Sequence, residues 1–158
     1  MNPRTLALSL PLLFSPACGG EHANGQGDDH AALHAAVHEG AVVVDIGDDH
    51  LGAVEVAVEP DSGGLHLWFW DAHLEKTIRL NHESLAVEVT VGDETFSVDC
   101  GAQASELTGE TVGDSAEFRG TDPRLEGAAN VIGRLPSVTI KGGLFQGLTF
   151  GWTDEHNE

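Results

Sequence analysis

The sequence predicts an all-β, antiparallel domain. Three observations lead there. Short runs of alternating apolar and polar residues recur from Ala41 onward, turn residues separate them, and helical periodicity interrupts them at one short place only. Alternation with period two sends successive side chains to opposite faces. One face of each run therefore builds a core while the other meets solvent.

The elements follow in order. Residues 41–46 read AVVVDI, a β-branched run. Residues 54–59, VEVAVE, set Val54, Val56 and Val58 against Glu55, Ala57 and Glu59. Asp61-Ser62-Gly63-Gly64 is a turn into residues 65–70, LHLWFW. Residues 85–91, LAVEVTV, place Leu85, Val87, Val89 and Val91 on one face, with Glu88 and Thr90 on the other. Gly92-Asp93 turns the chain into TFSVDC, residues 95–100, where Cys100 shares the face of Phe96 and Val98 and reads as a core thiol. SVTIK and LFQGLTF flank Gly142-Gly143, a two-residue hairpin signal. The helical interruption lies at Asp122-Pro123-Arg124-Leu125. There Thr121 or Asp122 caps, and Pro123 suits the first helical position. Strands of this number and spacing predict a two-layer antiparallel β-sandwich, immunoglobulin-like, over residues 41–152, with an acidic tail at 153–158.

The first 40 residues have a different character. Residues 1–17, MNPRTLALSLPLLFSPA, combine Arg4, an apolar stretch from Leu6 to Phe14 and the small Ala17. That is the pattern of a secretory signal peptide, too short to span a bilayer. Cys18 follows directly. The junction resembles the lipobox of bacterial lipoproteins, departing from it at Ser15, where Leu is usual, and at Pro16. The resemblance implies lipidation at Cys18 and anchoring to a membrane. Gly19, in the place where the sorting rule reads Asp, implies an outer-membrane lipoprotein facing the periplasm; simple cleavage and secretion is the other reading. Residues 19–29, GGEHANGQGDD, form a Gly-rich polar tether. Residues 30–38, HAALHAAVH, predict a short helix, with Asp28 or Asp29 as cap and Gly40 as stop.

Charge narrows the partners. In 158 residues Lys+Arg number 7 and Asp+Glu 26, a formal net charge of -19. Such a surface repels phosphate backbones, so nucleic acid is not an expected partner; it attracts cations. No HExxH, P-loop, GxSxG or EF-hand pattern occurs, and Gly113-Asp114-Ser115 reads as turn chemistry in a strand-rich chain. No enzyme is expected.

Two constellations remain. His30, His34 and His38 fall at i, i+4 and i+8, so on a helix they share one side, and neighbouring imidazoles at that spacing can share a metal ion. Asp29 and Glu39 would add oxygen donors, and imidazole suits zinc, copper or nickel. The same residues also fit a polar, Ala-rich linker. The second constellation is the stripe His66, Trp68 and Trp70, opposite Leu65, Leu67 and Phe69. It is either an exposed surface for an envelope protein partner or a face covered by the tether helix or another strand. His50 and His73 lie in or beside turns.

HEGAVVVDIG, GETVGDSAEF, TDPRL and VTIKGGLFQGLTF together resemble a group of small bacterial lipoproteins with a His-rich start. Parts are similar to β domains that accompany periplasmic adaptor subunits of metal-efflux systems. The resemblance implies a metal-related setting in the envelope and supplies no catalytic residues. It leaves two functions open: a lipoprotein that binds or buffers a divalent transition metal, or a non-catalytic interaction module.

Overall fold

A computed structural model describes residues 35–47 and 51–154. It is all-β and antiparallel. The strands are β1 (Val42–Ile46), β2 (Gly52–Glu59), β3 (Gly64–Trp70), β4 (Ser84–Val91), β5 (Glu94–Ala102), β6 (Glu117–Thr121), β7 (Asn130–Ile140) and β8 (Gly143–Thr153). All seven runs marked in the sequence fall in strands, and the four whose faces were assigned (54–59, 65–70, 85–91 and 95–100) turn their apolar side inward; Val87, Val89 and Cys100 are fully buried. Burial pushes the Cys100 thiol up to about 12, as befits a core thiol.

The expected pair of separate sheets is not what forms. Among the described residues all eight strands belong to one sheet, in the order β1-β2-β3-β6-β5-β4-β7-β8. The sheet curls until its two outer strands nearly meet, giving a barrel-like shape. Trp152 Nε1, on β8, donates to the Gly40 carbonyl just before β1 at 2.7 Å. The Phe145 ring packs beside Gly47 at the other end of β1. Between them a crevice of about 310 Å³ runs along residues 42–45 and 149–151. Curling buries the inward face of every strand in one core, where Phe69 and Phe118 meet edge to face at 5.7 Å. It also shortens the exposed edges that would otherwise template aggregation.

The order contains a Greek key. β4, β5 and β6 are consecutive neighbours, and residues 122–129 carry the chain back across them so that β7 lies beside β4. Turn chemistry sets the local registers. Gly92 at φ 59° leads the two-residue turn between β4 and β5. The β7–β8 hairpin turns one residue earlier than Gly142-Gly143, on Lys141 and Gly142, with Ile140 opposite Gly143. Both turn residues have positive φ, 50° and 83°, as the hairpin turn that matches strand twist requires. Gly63 is positive in φ at 65°, and a Cβ there would stand 2.4 Å from the Asp122 carbonyl oxygen, so this position admits glycine only. The single short helical element among the described residues is the 3-10 turn Pro123–Leu125. Asp122 caps it, as the sequence indicates, and its bonds to Arg124 pull the Asp122 carboxyl down to about 2.

Candidate functional site

The site lies on the outer face of β2, β3 and β6. The turn at residues 60–63 sets Glu59 opposite Gly64, which places Glu55 across from Trp68 and Ala57 across from His66. On the other side Trp68 faces Glu117, and His66 faces Arg119. The strand period therefore gathers Glu55, Glu59, His66, Trp68, Trp70, Glu117 and Arg119 on one outward surface.

Residues 35–40 lie across part of that surface. They form a bend and a turn, so the helix expected to reach His38 does not extend through them. The reason is a competing partner for the backbone: Glu55 accepts the Val37 and His38 N–H groups that a continuing helix would direct to its own carbonyls. His30, His34 and Asp29 lie outside the described residues, as do Cys18 and His50; Glu39 is exposed in the turn, and His73 is exposed in the loop after β3.

Glu55 is the anchor. Its side chain is 0% exposed. One carboxylate oxygen takes the two backbone N–H groups; the other takes Trp70 Nε1–H at 2.7 Å and His38 Nδ1 at 2.8 Å. A buried carboxylate needs such a complement, because each unmet lone pair would cost desolvation energy. The His38 ring lies flat on Trp68, centroids 3.9 Å apart and planes at 14°. With Nδ1 donating to Glu55, the neutral ring keeps its lone pair on Nε2. No described residue bonds to Nε2, and the His38 side chain is 37% exposed.

The arm at residues 35–40 thus lies over part of the tryptophan stripe, as an irregular segment where the sequence offered the tether helix or another strand. Trp68 and Trp70 are half-buried and His66 is buried. Beside the arm a cleft of about 830 Å³ opens, bounded by His38, Glu39, Glu59, His66, Trp68 and Arg119, with Trp152 and Asp154 at its far side. His66 edges against Trp68 at 5.4 Å. Its imidazole is held below its ordinary value, first by burial and then by the Arg119 charge; Glu59 and Glu117 oppose this, and His38 adds slightly to it.

A pH dependence follows. An unfolded chain protonates His66 near the ordinary value of about 6.5, whereas the folded chain resists. Below that pH the unfolded state binds more protons, so stability falls on acidification and levels off once the folded-state value is passed. Thermal unfolding followed from pH 7 to pH 5 should show this loss, and His66→Gln should reduce it; equal slopes in the two proteins would refute the assignment.

Glu55 and Glu59 are the residues that sequence reasoning passed over as solvent-facing carboxylates. The register implied by the turn at 61–64 was the available signal, because it sets Glu55 opposite a tryptophan. Among the described residues no three His, Cys, Asp or Glu side chains converge to hold a metal ion, and no helix is long and apolar enough to cross a membrane. No protein-family model, curated protein or solved structure matches the chain.

Proposed function

We propose that the chain is an exported lipoprotein, anchored through Cys18 to the outer membrane, that binds a divalent transition metal without catalysing a reaction. The metal is zinc, copper or nickel. Its donors are His38 and, from the preceding segment, His30 and His34, with Asp29 and Glu39 as oxygen donors.

One observation carries this reading. His38 Nδ1 is fixed on the buried carboxylate of Glu55, and Nε2 is left with its lone pair outward. A carboxylate behind an imidazole is the usual support of a metal-bound histidine: it selects the tautomer, fixes the ring and raises its basicity. The stack on Trp68 removes the remaining rotational freedom. The chain's formal charge of -19 favours cation capture over anion capture. A segment as short as residues 30–38 is marginal as a helix by itself, so ordering His30 and His34 around the ion opposes binding; the affinity is modest and the ion exchanges. That suits buffering or handover. The alternative, an interaction module using His66, Trp68 and Trp70, has less support, because the arm already lies over that stripe.

Calorimetry with zinc, copper and nickel tests the proposal. The wild type should bind at about micromolar affinity or weaker, short of the free energy a complete structural shell supplies. Binding should weaken below about pH 6.5, where imidazole protonates. Replacing His30, His34 and His38 together by Ala should remove this site while far-UV circular dichroism keeps its β signature. Undiminished binding in the triple variant would place the metal elsewhere and sink the reading.

A further inference from the structure

We propose that His66 and Glu59 form a second metal-docking point, on the sheet itself and separate from the His-rich segment, that holds a divalent transition metal by two donors and leaves its other positions open.

His66 is an unusual buried histidine. Its side chain is 8% exposed, yet its one polar contact among the described residues is Glu59 Oε1, 3.4 Å from Nε2. No hydrogen bond joins them, and buried imidazoles ordinarily find one. Nor is the ring sealed off: no fully buried side-chain nitrogen or oxygen among the described residues lacks a partner. A His66 nitrogen without a bond must therefore open to the cleft it lines.

The spacing has a direct chemical reading. Donors about 2.1 Å from a tetrahedral ion stand about 3.4 Å from each other. That is long for a charge-assisted hydrogen bond, and it is the edge of a zinc coordination tetrahedron. Glu59 is also prepared. Ser62 Oγ donates to Oε2 at 2.9 Å, which turns Oε1 toward His66. A hydroxyl that orients a ligating carboxylate is a typical outer partner of a metal site.

The surroundings favour a cation. Among the described residues Arg119 is the one Lys or Arg lining the cleft, and its guanidinium is bound to Glu117 at 2.6 Å. Glu39, Asp61 and Asp154 add negative charge to the lining. The cleft is large enough for an ion with several waters. With two protein donors the shell is incomplete, so water or a donor from a second molecule finishes it. Open positions of this kind belong to exchange or catalysis, not to structural ions. The site is thus where an ion could pass to or from another molecule, whether or not the histidine segment binds metal.

The test begins from the variant with His30, His34 and His38 all replaced by Ala, titrated with zinc chloride in a calorimeter. One site should remain. Glu59→Gln, at a side chain 52% exposed, keeps the fold and should weaken that site at least about a hundredfold by removing a ligand; Ser62→Ala should weaken it about tenfold, as loss of an outer partner does. His66→Gln should match Glu59→Gln, with unfolding monitored in parallel. If the triple variant binds no zinc at millimolar concentration while the wild type does, this inference falls and the proposed function stands. If the triple variant binds zinc but Glu59→Gln and His66→Gln leave it unchanged, the inference also falls. If the wild type binds none, both fall. Binding that survives the triple replacement undiminished and vanishes with Glu59→Gln makes His66 and Glu59 the site and removes the first reading.

Discussion

Val89→Asp should abolish the cooperative unfolding transition, or lower its midpoint by at least about 15 °C. Val89 is 0% exposed at the middle of β4, between Phe96 on β5 and Gly133 on β7. Its side chain points into the single core shared by both halves of the curled sheet. Every nearby side chain on that face is apolar: Val87, Phe96, Val98 and Leu135. A carboxylate placed there has no donor and no cation. Several kcal/mol are at stake, against a total stability of about 5–15 kcal/mol for a domain of this kind. In a chain of this length each kcal/mol moves the midpoint by about 3–4 °C. Ala86→Asp is the control. It lies on the same strand, three residues away and on the exposed face; even with Asp99 directly opposite, it should change the midpoint by no more than about 4 °C. Differential scanning calorimetry of both variants decides the matter: a wild-type midpoint for Val89→Asp would mean the faces are reversed.

That the faces could be read at all is a consequence of period two. VEVAVE and LAVEVTV offer one apolar face each, and a slip of one residue would turn three valines of either run outward. The long-range arrangement was less accessible. β6 is five residues, EFRGT, with a glycine in it, and nothing in so short a run says that it inserts between β3 and β5. The Cβ that Gly120 lacks would meet the Asp99 carbonyl at 2.8 Å, so the glycine that hides the strand from propensity is what lets it fit. The first half of β7 is obscured likewise by Gly133 and Pro136. Gly133 lies under the Phe150 ring, and Pro136 sits beyond the stretch where β4 pairs. One curled sheet and two stacked sheets share the same alternation, and the choice between them rests on pairings far apart in sequence. At the site the imidazoles and tryptophans were visible as residue types. Glu55 was not, because outward-facing carboxylates in alternating strands normally meet water. Only the arm at residues 35–40, which itself needs Glu55 to stay in place, makes this one buried.

That mutual dependence sets the last expectation. Glu55→Gln should lower the unfolding midpoint by about 10 °C, release residues 35–40, and weaken metal binding at His38 by 10- to 100-fold, the usual cost of an outer-sphere partner. The carboxylate now meets four donors and no acceptor: the Val37 and His38 N–H groups, Trp70 Nε1–H and His38 Nδ1. A glutamine of the same shape keeps one acceptor oxygen and aims an NH₂ group at the remaining donors. Whichever way the amide turns, two donors are opposed by a third. Hydrogen bonds to a charged acceptor are worth about 1.5–3 kcal/mol each. Part of the loss returns, because the exposed arm can swing out and be hydrated, whereas Trp70 has less room to do so. The desolvation that Glu55 itself suffers is also relieved. A net cost of about 3 kcal/mol results, and the midpoint shift follows from it. Two further signals separate arm release from general weakening. Trp68 loses the histidine stacked at 3.9 Å, so tryptophan emission should change before any unfolding. Limited proteolysis should cut within residues 35–40 while the strands stay protected. Trp152, which holds the Gly40 carbonyl at 2.7 Å, limits how far the release spreads toward β1. An unchanged midpoint together with an uncut arm would show that Glu55 is a passenger and that the arm is held by the ring stack alone.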